Sequence, residues 1–355
     1  MPSRHADGAE FDALLDVLAR QGRGVVEYVP DLLGPDAAAA LTDLARRCGH
    51  RSIPLTWTGF THNPGTPAWL ELTRSLAEEG VESYPQLSPR TVDFRLNWSS
   101  SMMFMSMPEG WHRVVAADPA QKARLLADPT WRDTARAEWD RTERSMFPIH
   151  ALEKVRFVEV HGADQEPWLG RTLADLVAER GGHPSDVFAD FVLANDCHPG
   201  VVAVGVANAD IDGVGRTLAD PSVLISSSDA GAHMQMLCAS GDPTLVLTRH
   251  VRERSDLGLE QAVHELTGRQ AAVFGFGERG TVVEGAIADL VVFALDELHY
   301  DDDVFVEDLP GGGARLRRPE GGYRATLVAG EAVQLGGRLT GALPGRVIGN
   351  ESDAR

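Results

Sequence analysis

The chain has 355 residues, 43% hydrophobic and 24% charged, the composition of a globular protein long enough for one large barrel or two ordinary domains. Its 52 acidic against 33 basic side chains give a formal net charge of −19. That balance excludes a nucleic-acid binder, whose phosphates need Lys and Arg, and a polybasic membrane-surface role. No run of about 18 apolar residues is present, and residues 1–7 have no signal-peptide core. Cys48, Cys197 and Cys238 are too few and too scattered for a disulfide framework or a CxxC zinc site, so a cytoplasmic location is expected.

The first two-thirds of the chain alternates helix and strand patterns. Residues 10–21 place Phe11, Leu14, Leu15, Val17 and Leu18 on one helical face. A strand follows at 24–29, a helix at 35–47 with Pro near its start, a strand at 53–58, a helix at 67–79 and a strand at 81–86. Such β-then-α units imply parallel strands joined by helical crossovers. Residues 97–148 break the rhythm with the run Met102-Met103-Phe104-Met105-Ser106-Met107 and the pairs Asp118-Pro119 and Asp128-Pro129, and read as a helical excursion over one end of a barrel. The methionines read as flexible packing rather than as a metal box.

A strand at 155–160 precedes helices at 172–179 and 184–195, then a strand at 201–206 and the strand ending at Asp229, then helices at 242–253 and 259–266. From residue 277 the texture changes to Gly-rich turns and short strands, a small β module. No internal repeat is present, and no GxGxxG follows a strand, which argues against dinucleotide binding.

The stretch from Val223 to His233 (VLISSSDAGAH) is an apolar β-branched run ending in small polar residues, then Asp229, then a Gly turn carrying His233. A short buried strand that delivers a carboxylate to its C-terminal end has this form, and in α/β barrels that end carries the chemistry. An Asp that merely caps the following turn fits the same pattern.

Several segments together resemble the amidohydrolase superfamily. Residues 277–293 (GERGTVVEGAIADLVVF) are similar to its Gly-x-Arg-Gly…Ala-Asp-Leu-Val segment, and Val328-Ala329-Gly330 to its Val-Asn-Gly strand turn. Residues 340–346 (TGALPGR), with Ser228 to His233 and 259–263, resemble the N-acyl-D-amino-acid deacylase branch. The resemblance implies an α/β fold, an incomplete (β/α)8 TIM-type barrel over 1–276 with the excursion at 97–148, and a small C-terminal β-sandwich part over 277–355. It implies a hydrolase of amide C–N bonds acting on a small-molecule substrate. In that family a metal, usually zinc, activates water. A carboxylate at the last strand takes the water proton and returns it to the leaving amine. By residue match that carboxylate is Asp229, which would also touch the metal. His233, Ser228 and Arg90 are candidate substrate contacts, Arg90 for a carboxylate.

This chain departs from the family pattern in its ligands. The family's first metal element is a His-x-His pair, and none occurs here. Strand 24–29 ends in Glu27-Tyr28-Val29-Pro30 without a histidine, and strand 53–58 is followed by His62 a few residues late. His62 and His161, the latter after strand 155–160, are the remaining candidate ligands. A catalytic zinc takes three protein ligands and a water. The resemblance therefore implies a chain corresponding to the carboxy-terminal part of a longer enzyme, with its first barrel strands absent. The partner expectation is then a homo-oligomer or a complementing chain, and the alternative is a non-catalytic relative that keeps the fold.

Overall fold

The structure is a computed structural model that describes residues 6–31, 34–96, 98, 109–143, 147–226, 228 and 230–348. The helix Gly8–Gln21 starts where the Asp7 carboxylate accepts the Glu10 N–H at 3.0 Å and stops at Gly22, whose φ of 64° suits a residue without Cβ. Strand β1 (Val26–Tyr28) pairs in parallel with β2 (Leu55–Trp57), and β2 with β3 (Ser83–Leu87). The crossovers are the helices Ala37–Gly49 and Thr66–Glu78. Leu41, Leu44, Ala45 and Cys48 recur at helical spacing and are buried against Leu55 and Trp57. Burying such a side chain stabilises the fold by roughly 1.5–3 kcal/mol.

After β3 the chain leaves this sheet. β4 (Val92–Arg95), β5 (Val155–Glu159) and β6 (Gly200–Ala207) form a separate antiparallel sheet in the order β4-β6-β5. Strands 155–160 and 201–206 therefore do not extend the parallel series, because local alternation encodes a strand but not its direction of pairing. One face of this sheet, with Phe94, Val155, Phe157, Val201 and Ala203, is buried against helices and belongs to a second core. The helices Glu109–Ala116, Pro119–Ala127, Pro129–Arg141, Leu173–Arg180 and Pro184–Ala194 supply the rest of it. The two Asp-Pro pairs begin helices: Asp118 accepts the Gln121 N–H and Asp128 the Thr130 N–H, both at 2.9 Å, with Pro next in line. Phe188 is the hub, with ring centroids 5.0 Å from Trp111, 5.5 Å from Phe147 and 6.1 Å from Trp98. The Met-rich run 102–107 lies outside the described residues.

The helix Ile211–Leu218 leads back to β7 (Leu224–Ile225), which pairs in parallel with β3, completing the order β1-β2-β3-β7. The segment that follows is clamped twice: the Met236 carbonyl accepts the Arg95 N–H and the Met234 carbonyl accepts the Leu316 N–H, each at 2.7 Å. Met236 is buried in the second core. The last part of the chain contains β8 (Leu290–Val292), the hairpin β9 (Val304–Leu309) and β10 (Gly313–Arg317), then β11 (Ala325–Val328), β12 (Glu331–Leu335) and β13 (Arg338–Leu339). These make a four-stranded antiparallel sheet, β13-β12-β11-β8, and the separate two-stranded hairpin. Asp289 is a structural residue: it accepts the Ala329 N–H and the Arg279 guanidinium, each at 2.8 Å, and these hold its carboxyl below the usual range.

Candidate functional site at the ends of the parallel strands

All four parallel strands run the same way, so the loops after Tyr28, Trp57, Leu87 and Ile225 share one end of the sheet. The Ser226 N–H donates to the Leu87 carbonyl at 2.9 Å, which holds the ends of β3 and β7 together. There Arg90 Nη1 donates to the Ser228 carbonyl at 3.2 Å and to Asp242 Oδ2 at 2.6 Å. Ser88 Oγ donates to the same carboxylate oxygen at 3.1 Å. Asp242 is fully buried and its Oδ1 has no hydrogen-bond partner among the described residues. Burial pushes its carboxyl above the ordinary value, against the pull of Arg90 and Ser88. Asp229, which follows Ser228 in the sequence, lies outside the described residues.

A second layer fixes these loops. Asn208 donates to the carbonyls of Ser88 and Arg90 at 3.0 and 3.2 Å, and its Oδ1 accepts the His62 N–H at 2.8 Å. His250 is fully buried on a π-helical turn (Val246–Glu253) that continues the helix Asp242–Leu245; its Nδ1 faces Asp256 at 2.8 Å and its Nε2 faces the Pro89 carbonyl at 3.0 Å. Asp242, Asn208 and His250 were not among the sequence candidates. Each acts across more than a hundred residues, and the available signals (the helix start at Gly241-Asp242-Pro243 and a polar residue after β6) are local.

The other candidates are placed as follows. His62 lies after β2 but its ring is engaged by the helix Ile211–Leu218: Nδ1 is 2.9 Å from Thr217 Oγ1 and Nε2 is 3.4 Å from Asp210 Oδ2. Gly213 leaves the room it needs, since a Cβ there would run into the imidazole. His161 follows β5 on the antiparallel sheet. Its ring lies 4.4 Å from that of His198, and its Nε2 lies 3.9 Å from Glu159. His233 has φ 49° and an exposed side chain, while its carbonyl accepts the Met236 and Leu237 N–H groups. Arg90 and Ser228 are thus brought together, and His62 and His161 stand on different elements.

No group of three His, Cys, Asp or Glu side chains that could hold a metal ion is present among the described residues. The described donors therefore do not fit the zinc that the resemblance implies. No helix among the described residues is long and apolar enough to cross a membrane.

Comparison with known proteins bears on the fold and on the family resemblance. Residues 187–334 match the model of the amidohydrolase family. An uncharacterized protein of Mycobacterium tuberculosis is 29% identical over 361 residues, covering 96% of this chain and 58% of its own length. The N-acyl-D-aspartate deacylase of Alcaligenes xylosoxydans xylosoxydans is 30% identical over 183 residues, 50% of this chain and 33% of that protein. The crystal structure of a D-aminoacylase superposes with a TM-score of 0.56 at 20% identity, covering 96% of this chain and 59% of the other. That likeness establishes a shared fold, and this chain spans a little under three-fifths of these full-length relatives. Over residues 187–334 the chain is thus similar to the amidohydrolase family, and over half of its length to an N-acyl-D-aspartate deacylase.

Proposed function

We propose that the chain belongs to a hydrolase of non-peptide C–N bonds acting on N-acyl-D-amino acids, with Asp229 as its general base and acid. The observation that carries this reading is the junction of Arg90 and Ser228 at the adjacent ends of β3 and β7, Ser228 being the residue that precedes Asp229 in the sequence. Among the described residues Arg90 uses Nη1 for Asp242 and Ser228, leaving Nη2 and Nε for a substrate carboxylate. The acidic amino-acid substrate named for the Alcaligenes relative is the first to test.

Asp229 would take a proton from water as the water oxygen bonds to the amide carbon. It would return that proton to nitrogen as the C–N bond breaks, releasing a carboxylate and an amine. A zinc ion, where bound, would acidify the water and polarise the carbonyl. The described residues supply no ligand set for it, so no step is assigned to it.

That same lack favours a second reading, a non-catalytic relative or a chain that acts only with a partner supplying ligands and strands. Amine release from N-acetyl-D-aspartate and neutral N-acetyl-D-amino acids, with zinc determined on the same sample, separates the two. Release that disappears in Asp229→Asn supports hydrolysis, and full activity in that variant defeats the role of Asp229. A folded wild-type chain without release or bound zinc supports the second reading.

A further inference from the structure

The face of the antiparallel sheet turned away from the helices is the floor of a cavity of about 790 Å³, roofed by the 304–317 hairpin. Five arginines line it: Arg90, Arg95, Arg156, Arg249 and Arg318. Their convergence runs against the chain's net charge of −19. Arg95 on β4 and Arg156 on β5 are both register partners of Val202 on the central strand β6. They therefore stand in one row on one face, two strand spacings or about 10 Å apart.

The five are engaged to different degrees. Arg90 is held by Asp242; Arg95 pairs with Glu159 and lies over the Phe305 ring at 4.5 Å; Arg318 lies over Tyr300 at 3.9 Å. The side chains of Arg156 and Arg249 have no hydrogen bond or ion pair among the described residues and act on Asp93 only at longer range. The acids of the cavity are Asp93, Glu159, Asp302 and Asp303. Glu159 is already paired. Asp93 accepts the Gly205 N–H at 2.6 Å, and burial pushes its carboxyl up from the ordinary value.

We propose that this cavity binds an elongated dicarboxylate, one carboxylate at Arg156 and Arg249 and the other toward Arg95 and Arg90, its carbon chain lying over Val202. Guanidinium groups bind carboxylates through paired N–H donors, and cations at both ends of a floor about 10 Å long select two separated anionic groups over one compact anion. The site shares Arg90 with the proposed hydrolysis, but binding of the diacid is expected whether or not the chain cleaves an amide.

Isothermal titration of the full chain with suberate, and with octanoate as the monocarboxylate of equal length, tests it. Suberate is expected to bind at least tenfold more tightly than octanoate. Arg156→Gln and Arg249→Gln are each expected to weaken suberate at least tenfold, Arg156→Lys less. Arg315→Gln removes the same charge from an arginine that pairs with Asp308 outside the cavity, and is expected to leave binding unchanged. Equal affinity for the two acids, equal loss in Arg315→Gln, or no binding of suberate at millimolar concentration overturns the proposal. Thermal melts of each variant separate loss of a site from loss of the fold, and a folded Arg156→Gln chain with undiminished binding also overturns it.

Discussion

The parallel sheet and the antiparallel sheet solve the same problem differently. The parallel strands are three or five residues long, or two at β7, and depend on helices such as Ala37–Gly49 to cover them. Their polar residues collect at one end, where Ser88, Arg90 and Asp242 interlock. The antiparallel strands instead bury one face under an aromatic cluster and leave the other lined by Arg95, Arg156 and Asp93 around the valines Val202 and Val204. A parallel arrangement concentrates chemistry at an edge, whereas an antiparallel one offers a whole face. That is why one region yields a strand-end site and the other a broad cationic floor.

The largest effect distinguishing the two regions is expected from Phe188→Ala. It removes the hub of the second core and is expected to cost about 3–5 kcal/mol. If the cores melt separately, calorimetry will show one transition moved and the other in place. A single transition shifted as a whole would show that the two regions unfold as one unit.

Next comes Asp242→Ala, which leaves Arg90, itself mostly buried, without its counter-charge. It is expected to cost roughly 3 kcal/mol in urea denaturation, more than the neutral Asp242→Asn. The pH dependence has a definite sign. Because the folded carboxyl is raised above its ordinary 3.8, the native state holds a proton that the unfolded chain has lost. Wild type should therefore lose stability relative to Asp242→Asn as pH rises from about 4 through the raised value, then level off. A difference that grows in favour of wild type over that window would contradict the burial-dominated account.

The smallest effect is expected from Asp118→Ala, which removes a helix cap in the second region and should cost about 1 kcal/mol in the same assay.

The sequence was most legible where the physics is local. The helix faces, the parallel β/α units before residue 90 and the strand before Asp229 all follow from spacing and capping. The pairs at Asp118 and Asp128 were visible but read as interruptions, because an Asp-Pro pair closes one segment and opens the next equally well. The direction of β5 and β6 was not legible, since it depends on partners 41 to 115 residues away. The same holds for the site: Arg90 could be singled out as a carboxylate binder, but its partner Asp242 is 152 residues further on. The short β4 and the helix Ile211–Leu218, which holds the His62 ring, left no comparably strong pattern.

The double clamp on the segment after β7 has a mechanical consequence. Met236 is anchored in the second core while the Met234 carbonyl is bonded to the hairpin. Any separation of the antiparallel sheet from the parallel one must pull on the few residues between Met234 and Ser228. Strain or ligand occupancy in the arginine-lined cavity would thus be felt at the strand end as tension in a tether about six residues long.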